Sequence, residues 1–137
     1  MAELKIAIAE DNPLMLELLS SILEAENGFQ VVGTADNGED AYQMIMEKEP
    51  DIVLLDVIMP KLDGITVLEK VREAKGGKNM PSIIMVTAAG NETVASAAFR
   101  NGASYYILKP FDREVLLDKI RLVAKERFHS KMISAVR

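Results

Sequence analysis

The 137 residues are 49% hydrophobic and 27% charged with a net charge of −5, which suits one globular domain and excludes both disorder and general nucleic-acid binding. The absence of cysteine excludes disulfides and thiolate metal sites and fits a reducing cytoplasm. No apolar run approaches the roughly 20 residues of a membrane span. The opening Met1-Ala2-Glu3-Leu4-Lys5 resembles no secretion signal, so a cytoplasmic protein with no membrane partner is expected.

Short apolar runs alternate with longer segments whose apolar residues recur every three or four positions, the pattern of parallel strands joined by helices. The first run, Ile6-Ala7-Ile8-Ala9, stops at Glu10-Asp11. Asn12-Pro13 follows as an N-cap with proline at the first helical position. Met15, Leu16, Leu18, Leu19, Ile22 and Leu23 give that helix its buried stripe, and Asn27-Gly28 is its predicted end. The second run, Val31-Val32 with Gly33-Thr34-Ala35, has no reactive end residue. Asp36-Asn37-Gly38 turns into a helix carrying Ala41, Met44 and Ile45, and Pro50-Asp51 introduces Ile52-Val53-Leu54-Leu55, which stops at Asp56. After the turn at Asp63-Gly64, a third helix bears Val67, Leu68 and Val71. Lys75 to Asn79 is loop-like but too short for a domain linker. Ile83-Ile84-Met85-Val86 stops at Thr87, and the fourth helix runs to about Asn101 with Gly102 as a left-handed cap. Tyr106-Ile107-Leu108 stops at Lys109, and Asp112 caps a last helix that packs Leu116, Leu117, Ile120, Val123 and Ala124 on the sheet.

Five strands with short crossovers imply a doubly wound, flavodoxin-like α/β fold with strand order 2-1-3-4-5. That order gathers the ends of strands 1, 3, 4 and 5 into one crevice. A lone Asp56 would read as a turn former, but here three carboxylates, a hydroxyl and an ammonium converge. A divalent cation and a phosphoryl group need that mixture. Asp56 is the expected nucleophile, forming an acyl phosphate. Glu10 and Asp11 suit Mg²⁺, Glu10 through a water because its longer arm would have to fold back to coordinate directly. Thr87, followed by the small residues Ala88-Ala89-Gly90, is placed to donate a hydrogen bond to a phosphoryl oxygen. Lys109 pairs with phosphate as a point charge, aimed by a turn at Pro110, where a cis peptide is admissible. The methionines at 15, 44, 46, 59, 80 and 85 read mostly as core filler. His129, the one histidine, lies in the basic stretch from Lys125 to Arg137, so a phosphohistidine donor must be another molecule.

Ala9-Glu10-Asp11-Asn12, Leu54-Leu55-Asp56-Val57-Ile58-Met59-Pro60, Asp63-Gly64, Val86-Thr87-Ala88 and Leu108-Lys109-Pro110-Phe111 occur together and in order. On them, Leu4 to about Arg127 resembles the chemotaxis-Y-like receiver domain of two-component response regulators. Gly102 to Asp112 is also similar to the receiver of sporulation initiation regulators. The resemblance implies that Asp56 accepts a phosphoryl group from a histidine kinase or histidine phosphotransfer protein. It implies Mg²⁺ held by Glu10, Asp11, Asp56 and the backbone carbonyl of Ile58, with Glu10 standing where Asp is frequent. Thr87, Ala88 and Lys109 would bind the phosphoryl group, Tyr106 matches the aromatic switch position, and Pro110 is structural. The expected organisation is a receiver domain over 1–127 and a helical extension or linker stump over 128–137. Expected partners are the phosphodonor and a second copy bound through the fourth helix, fifth strand and last helix. DNA is reached only through an output domain outside this chain. No enzymatic activity is expected beyond the domain's own phosphoryl transfer and slow dephosphorylation. A haloacid dehalogenase-type phosphatase needs a second Asp where Ile58 stands. A flavin protein needs a phosphate-cradling loop, and Asn12-Pro13-Leu14 offers no glycine.

Overall fold

Strands and helices alternate without exception along the chain: β1 (Leu4–Ala9), α1 (Pro13–Glu24), β2 (Phe29–Ala35), α2 (Gly38–Lys48), β3 (Ile52–Leu55), α3 (Gly64–Lys75), β4 (Ser82–Thr87), α4 (Glu92–Arg100), β5 (Ala103–Leu108) and α5 (Arg113–Val136). The computed structural model describes residues 3–136, so Met1, Ala2 and Arg137, at the ends of the two expected ranges, lie outside the described residues. The strands form one parallel sheet in the order β2-β1-β3-β4-β5, the flavodoxin-like arrangement expected. The central strands β3 and β4 are almost wholly buried and apolar because helices cover both faces of a parallel sheet.

Alternation along each strand divides the core in two. Ala7, Ala9, Val53, Leu55, Ile83 and Met85 face α2, α3 and α4, meeting Ile45, Leu68, Val71 and Ala98. Ile6, Ile8, Ile52, Leu54, Ile84 and Val86 face α1 and α5, meeting Leu19, Leu23, Leu116 and Ile120. Truncating a central, fully buried side chain such as Leu54 to alanine costs about 3 kcal/mol. All six methionines read as filler pack in or against these clusters.

Helix boundaries follow side-chain caps. Asn12 Oδ1 accepts from Leu14 N–H (3.0 Å) and Met15 N–H (3.1 Å), and Asn37, Asp63 and Asn91 cap α2, α3 and α4 in the same way. Asp112 Oδ1 accepts from Glu114 N–H at 2.8 Å to open α5. Helix α1 stops at Glu24, earlier than the Asn27-Gly28 expected from sequence. Gly28, left-handed at φ 91°, instead starts the entry to β2, where its carbonyl accepts from Leu4 N–H at 2.7 Å. Gly102 is left-handed as expected (φ 103°), one residue beyond the cap at Asn101.

Helix α5 has 24 residues, roughly 36 Å of helix. Its far part is fixed by Arg127, whose Nη1 donates to Met80 O and Ser82 Oγ, both at 3.1 Å. His129 is exposed.

Candidate functional site

The carboxyl edge of the sheet is fixed by backbone bonds that run one residue past the strands. Glu10 N–H donates to Ala35 O (2.9 Å), Asp56 N–H to Ala9 O (3.1 Å) and Lys109 N–H to Thr87 O (2.9 Å). Each polar end residue therefore departs from a rigid strand, so its position carries the precision of the sheet.

Two of the three carboxylates are buried: Glu10 is 1% and Asp56 4% exposed, whereas Asp11 is exposed. One oxygen from each lies within 4.8 Å of the others. Lys109 enters this group with its ammonium 2.5 Å from Glu10 Oε1 and 2.8 Å from Asp56 Oδ2. The other oxygen of each buried carboxylate is bound too: Asp56 Oδ1 accepts from Ile58 N–H and Glu10 Oε2 from Asn12 N–H, both at 3.0 Å. The Glu10 carboxylate is thus held between Asn12 and Lys109.

One ammonium against three carboxylates leaves the site with surplus negative charge. Burial raises the Glu10 pKa, bonds from Lys109 and Asn12 oppose this, and the Asp56 charge adds to it. Burial pulls the Lys109 pKa down, but its hydrogen bonds and charge contacts with Asp56 and Glu10 outweigh that and the net direction is up. Such a group attracts a divalent cation, and three carboxylate oxygens suit a hard one.

Thr87 is fully buried. Its Oγ1 accepts from Ala89 N–H at 3.2 Å, so the hydroxyl expected to donate a hydrogen bond to a phosphoryl oxygen is tied, as an acceptor, to its own loop. The Tyr106 hydroxyl donates to the Ala89 carbonyl, and its half-buried ring lies 6.3 Å from that of Phe99. Burial first, and then the Asp56 charge, raises the Tyr106 pKa. Ala88 is exposed between them. The Lys109–Pro110 peptide is cis.

Two contributors were not legible in the sequence. Ala89 acts through backbone atoms alone, which no residue pattern reveals. Gly64 reads as a turn glycine, yet its φ is not left-handed. A Cβ there would lie 2.1 Å from the Asp56 carbonyl oxygen, so glycine is required for space. Its N–H donates to Val57 O at 2.8 Å.

A parallel sheet with an acidic crevice and a lysine at its carboxyl edge defines a class, and comparison with known proteins supplies its name. The sequence model of the response regulator receiver domain matches residues 6–121, and the chain belongs to that family, the receiver domains of two-component systems. Among solved structures, it is similar to a chain of the CheX–CheY–BeF3–Mg²⁺ complex from Borrelia burgdorferi, with 32% identity, 89% of this chain and 90% of that one covered, and a TM-score of 0.82. It is similar to a CheY-like receiver domain protein from Methanospirillum hungatei JF-1, with 26% identity, 94% and 99% covered, and a TM-score of 0.85. A DNA-binding response regulator of the LuxR family from Staphylococcus aureus matches at 28% identity, 88% and 98% covered, and a TM-score of 0.80. No helix among the described residues is long and apolar enough to cross a membrane.

Proposed function

We propose that the domain accepts a phosphoryl group on Asp56 from a histidine kinase or histidine phosphotransfer protein and switches conformation in response. The observation that carries this is the Lys109 ammonium bridging Asp56 and Glu10 at the end of the sheet. An Asp56 oxygen attacks phosphorus, the P–N bond to the donor imidazole breaks, and an acyl phosphate remains. Lys109 stands where it can turn from carboxylate to phosphoryl oxygen as charge develops there, and catalysis is mainly positioning and electrostatics. Glu10, Asp11, Asp56 and the Ile58 carbonyl would hold Mg²⁺, which supplies further neutralisation of the phosphoryl oxygens. BeF3 and Mg²⁺ in the related CheX–CheY complex support the reading.

Thr87 and Ala88 would take the remaining phosphoryl oxygens. Moving Thr87 toward phosphate breaks its bond to Ala89 and frees the loop that Tyr106 holds, so loop and ring form the bistable element. Leu14 and Leu18 on α1 and Ile58 in the loop after Asp56 are exposed and would offer an apolar landing surface to the donor. Exposed Phe99, Leu108, Val115 and Leu122 on α4, β5 and α5 offer another to a second copy or an output domain. We assign 1–127 to the receiver and 128–137 to an extension. Any DNA contact would belong to an output domain outside this chain; the LuxR-family relative is a DNA-binding response regulator.

Intact-mass measurement after incubation with acetyl phosphate and Mg²⁺ should show one phosphoryl group added. Asp56→Asn should show none; undiminished uptake in that variant would overturn the assignment.

A further inference from the structure

The pole of the domain opposite Asp56 holds a cleft that exists because α5 continues beyond Ala124. The added turns wall off a space of 290 Å³ against the start of β1, the α2–β3 turn and the end of α3. Spaces of 380 and 480 Å³ on either side share its Arg127 and Lys131. Four cations, Lys5, Lys75, Arg127 and Lys131, line the central space against the carboxylates of Glu49 and Asp51. In a chain of net charge −5 this is a local excess of positive charge.

The cations are not equivalent. Arg127 is committed to Met80 O, Ser82 Oγ and, at 3.9 Å, Asp51. The Lys75 side chain is only 12% exposed, and its one ion-pair contact among the described residues is a 3.9 Å approach to Glu49, itself 73% exposed. The carboxyl end of α3 accounts for a cation at Lys75 through the helix dipole. It does not account for Lys5 and Lys131, which have no ion-pair partner among the described residues. Glu49 is left-handed at φ 46° because it caps the carboxyl end of α2, its N–H donating to Ile45 O.

We propose that this cleft binds a small molecule carrying two adjoining phosphoryl groups. Lysine ammoniums act as point charges toward phosphate, whereas planar carboxylates favour the guanidinium fork, and the one guanidinium here is already engaged. The lysines come from three separate elements, β1, α3 and α5. A single tetrahedral oxyanion would leave much of the 290 Å³ to water, whereas a diphosphate fills more of it and offers more oxygens to lysines that enter from three elements. Bound there, it would tie the α5 extension to the body of the domain without involving Asp56 or a divalent cation.

Inorganic pyrophosphate, titrated in the presence of a chelator, is the probe. The chelator keeps the acidic edge free of cations, so that edge repels the anion. Amide shifts should saturate at Lys5, Lys75, Asn79 and Lys131, with sulfate at equal ionic strength far weaker. Lys131→Gln, at an exposed helix position that spares folding, should weaken binding about tenfold. Lys75→Gln should do the same. Shifts that stay linear through millimolar pyrophosphate, or wild-type affinity in Lys131→Gln, would overturn the proposal.

Discussion

The Lys109 ammonium lies 2.8 Å from Asp56 Oδ2, although the two residues end strands β5 and β3, which are separated by β4 in the sheet. The long lysine arm spans the Thr87 position and brings the outer strand into the acidic group. Lys109 thus neutralises part of that group at rest. Removing it leaves two buried carboxylates without a cation.

Lys109→Met should therefore lower the stability of the metal-free protein by about 3 kcal/mol. Asp56→Asn in the same background should recover part of the loss, because one buried charge goes with it. Urea denaturation of the three proteins in chelator measures both effects. A single variant as stable as wild type would show that the pair contributes nothing.

The raised Glu10 pKa fixes the sign of a pH effect. Above an unfolded value of 4.5 and below the higher folded value, the folded state holds a proton that the unfolded state has lost. Stability from this group therefore falls as pH rises through that window and rises again on acidification. Lys109 has the same sign in an alkaline window: its contribution is present below 10.5 and is lost as pH passes the higher folded value. Glu10→Gln should remove the acidic part of this dependence and stabilise the metal-free protein at neutral pH. Thermal melts across the acidic range, wild type against variant, provide the comparison.

Thr87→Ala should separate phosphorylation from switching. Asp56 and Lys109 keep their contacts, so acetyl phosphate still modifies the protein, but the Ala89 loop loses the group that would draw it in. Amide shifts in α4 and β5 on adding beryllofluoride should shrink well below those of wild type. Shifts of full size in the variant would place the switch elsewhere.

The strand ends were legible because chemistry and topology coincide there: Glu10, Asp56, Thr87 and Lys109 each break an apolar run. The helix caps at Asn12 and Asp112 were legible through local side-chain chemistry. The true end of α1 was hidden because Gly28 answers to a backbone bond with Leu4, a residue distant in sequence. The Thr87 bond to Ala89 and the burial of Glu10 beside an exposed Asp11 depend on tertiary packing, and no spacing encodes them.

The 137-residue chain and a version ending at Glu126 should differ in sedimentation. Phe128 and Met132 are 63% and 51% exposed on α5, and apolar burial there would supply most of the association energy, since exposed ion pairs add only about 0–1 kcal/mol each. Beryllofluoride should promote a dimer of the full chain and not of the shortened one. Identical monomers in all conditions would make the tail a linker.

Gly64→Ala should cost about 3 kcal/mol and displace Asp56, seen as slower phosphoryl uptake. Gly38 is confined in the same manner: its N–H donates to Pro60 O at 3.1 Å, and a Cβ would meet Leu62 O at 2.0 Å. Two helix starts thus grip the loop that follows Asp56 from both sides, while the loop after Thr87 is held at the single residue Ala89, by the Thr87 and Tyr106 hydroxyls. One half of the crevice is an anvil and the other a latch. Substitutions on the latch side would change how freely that loop moves, while the anvil side would go on holding the Asp56 carboxylate in place.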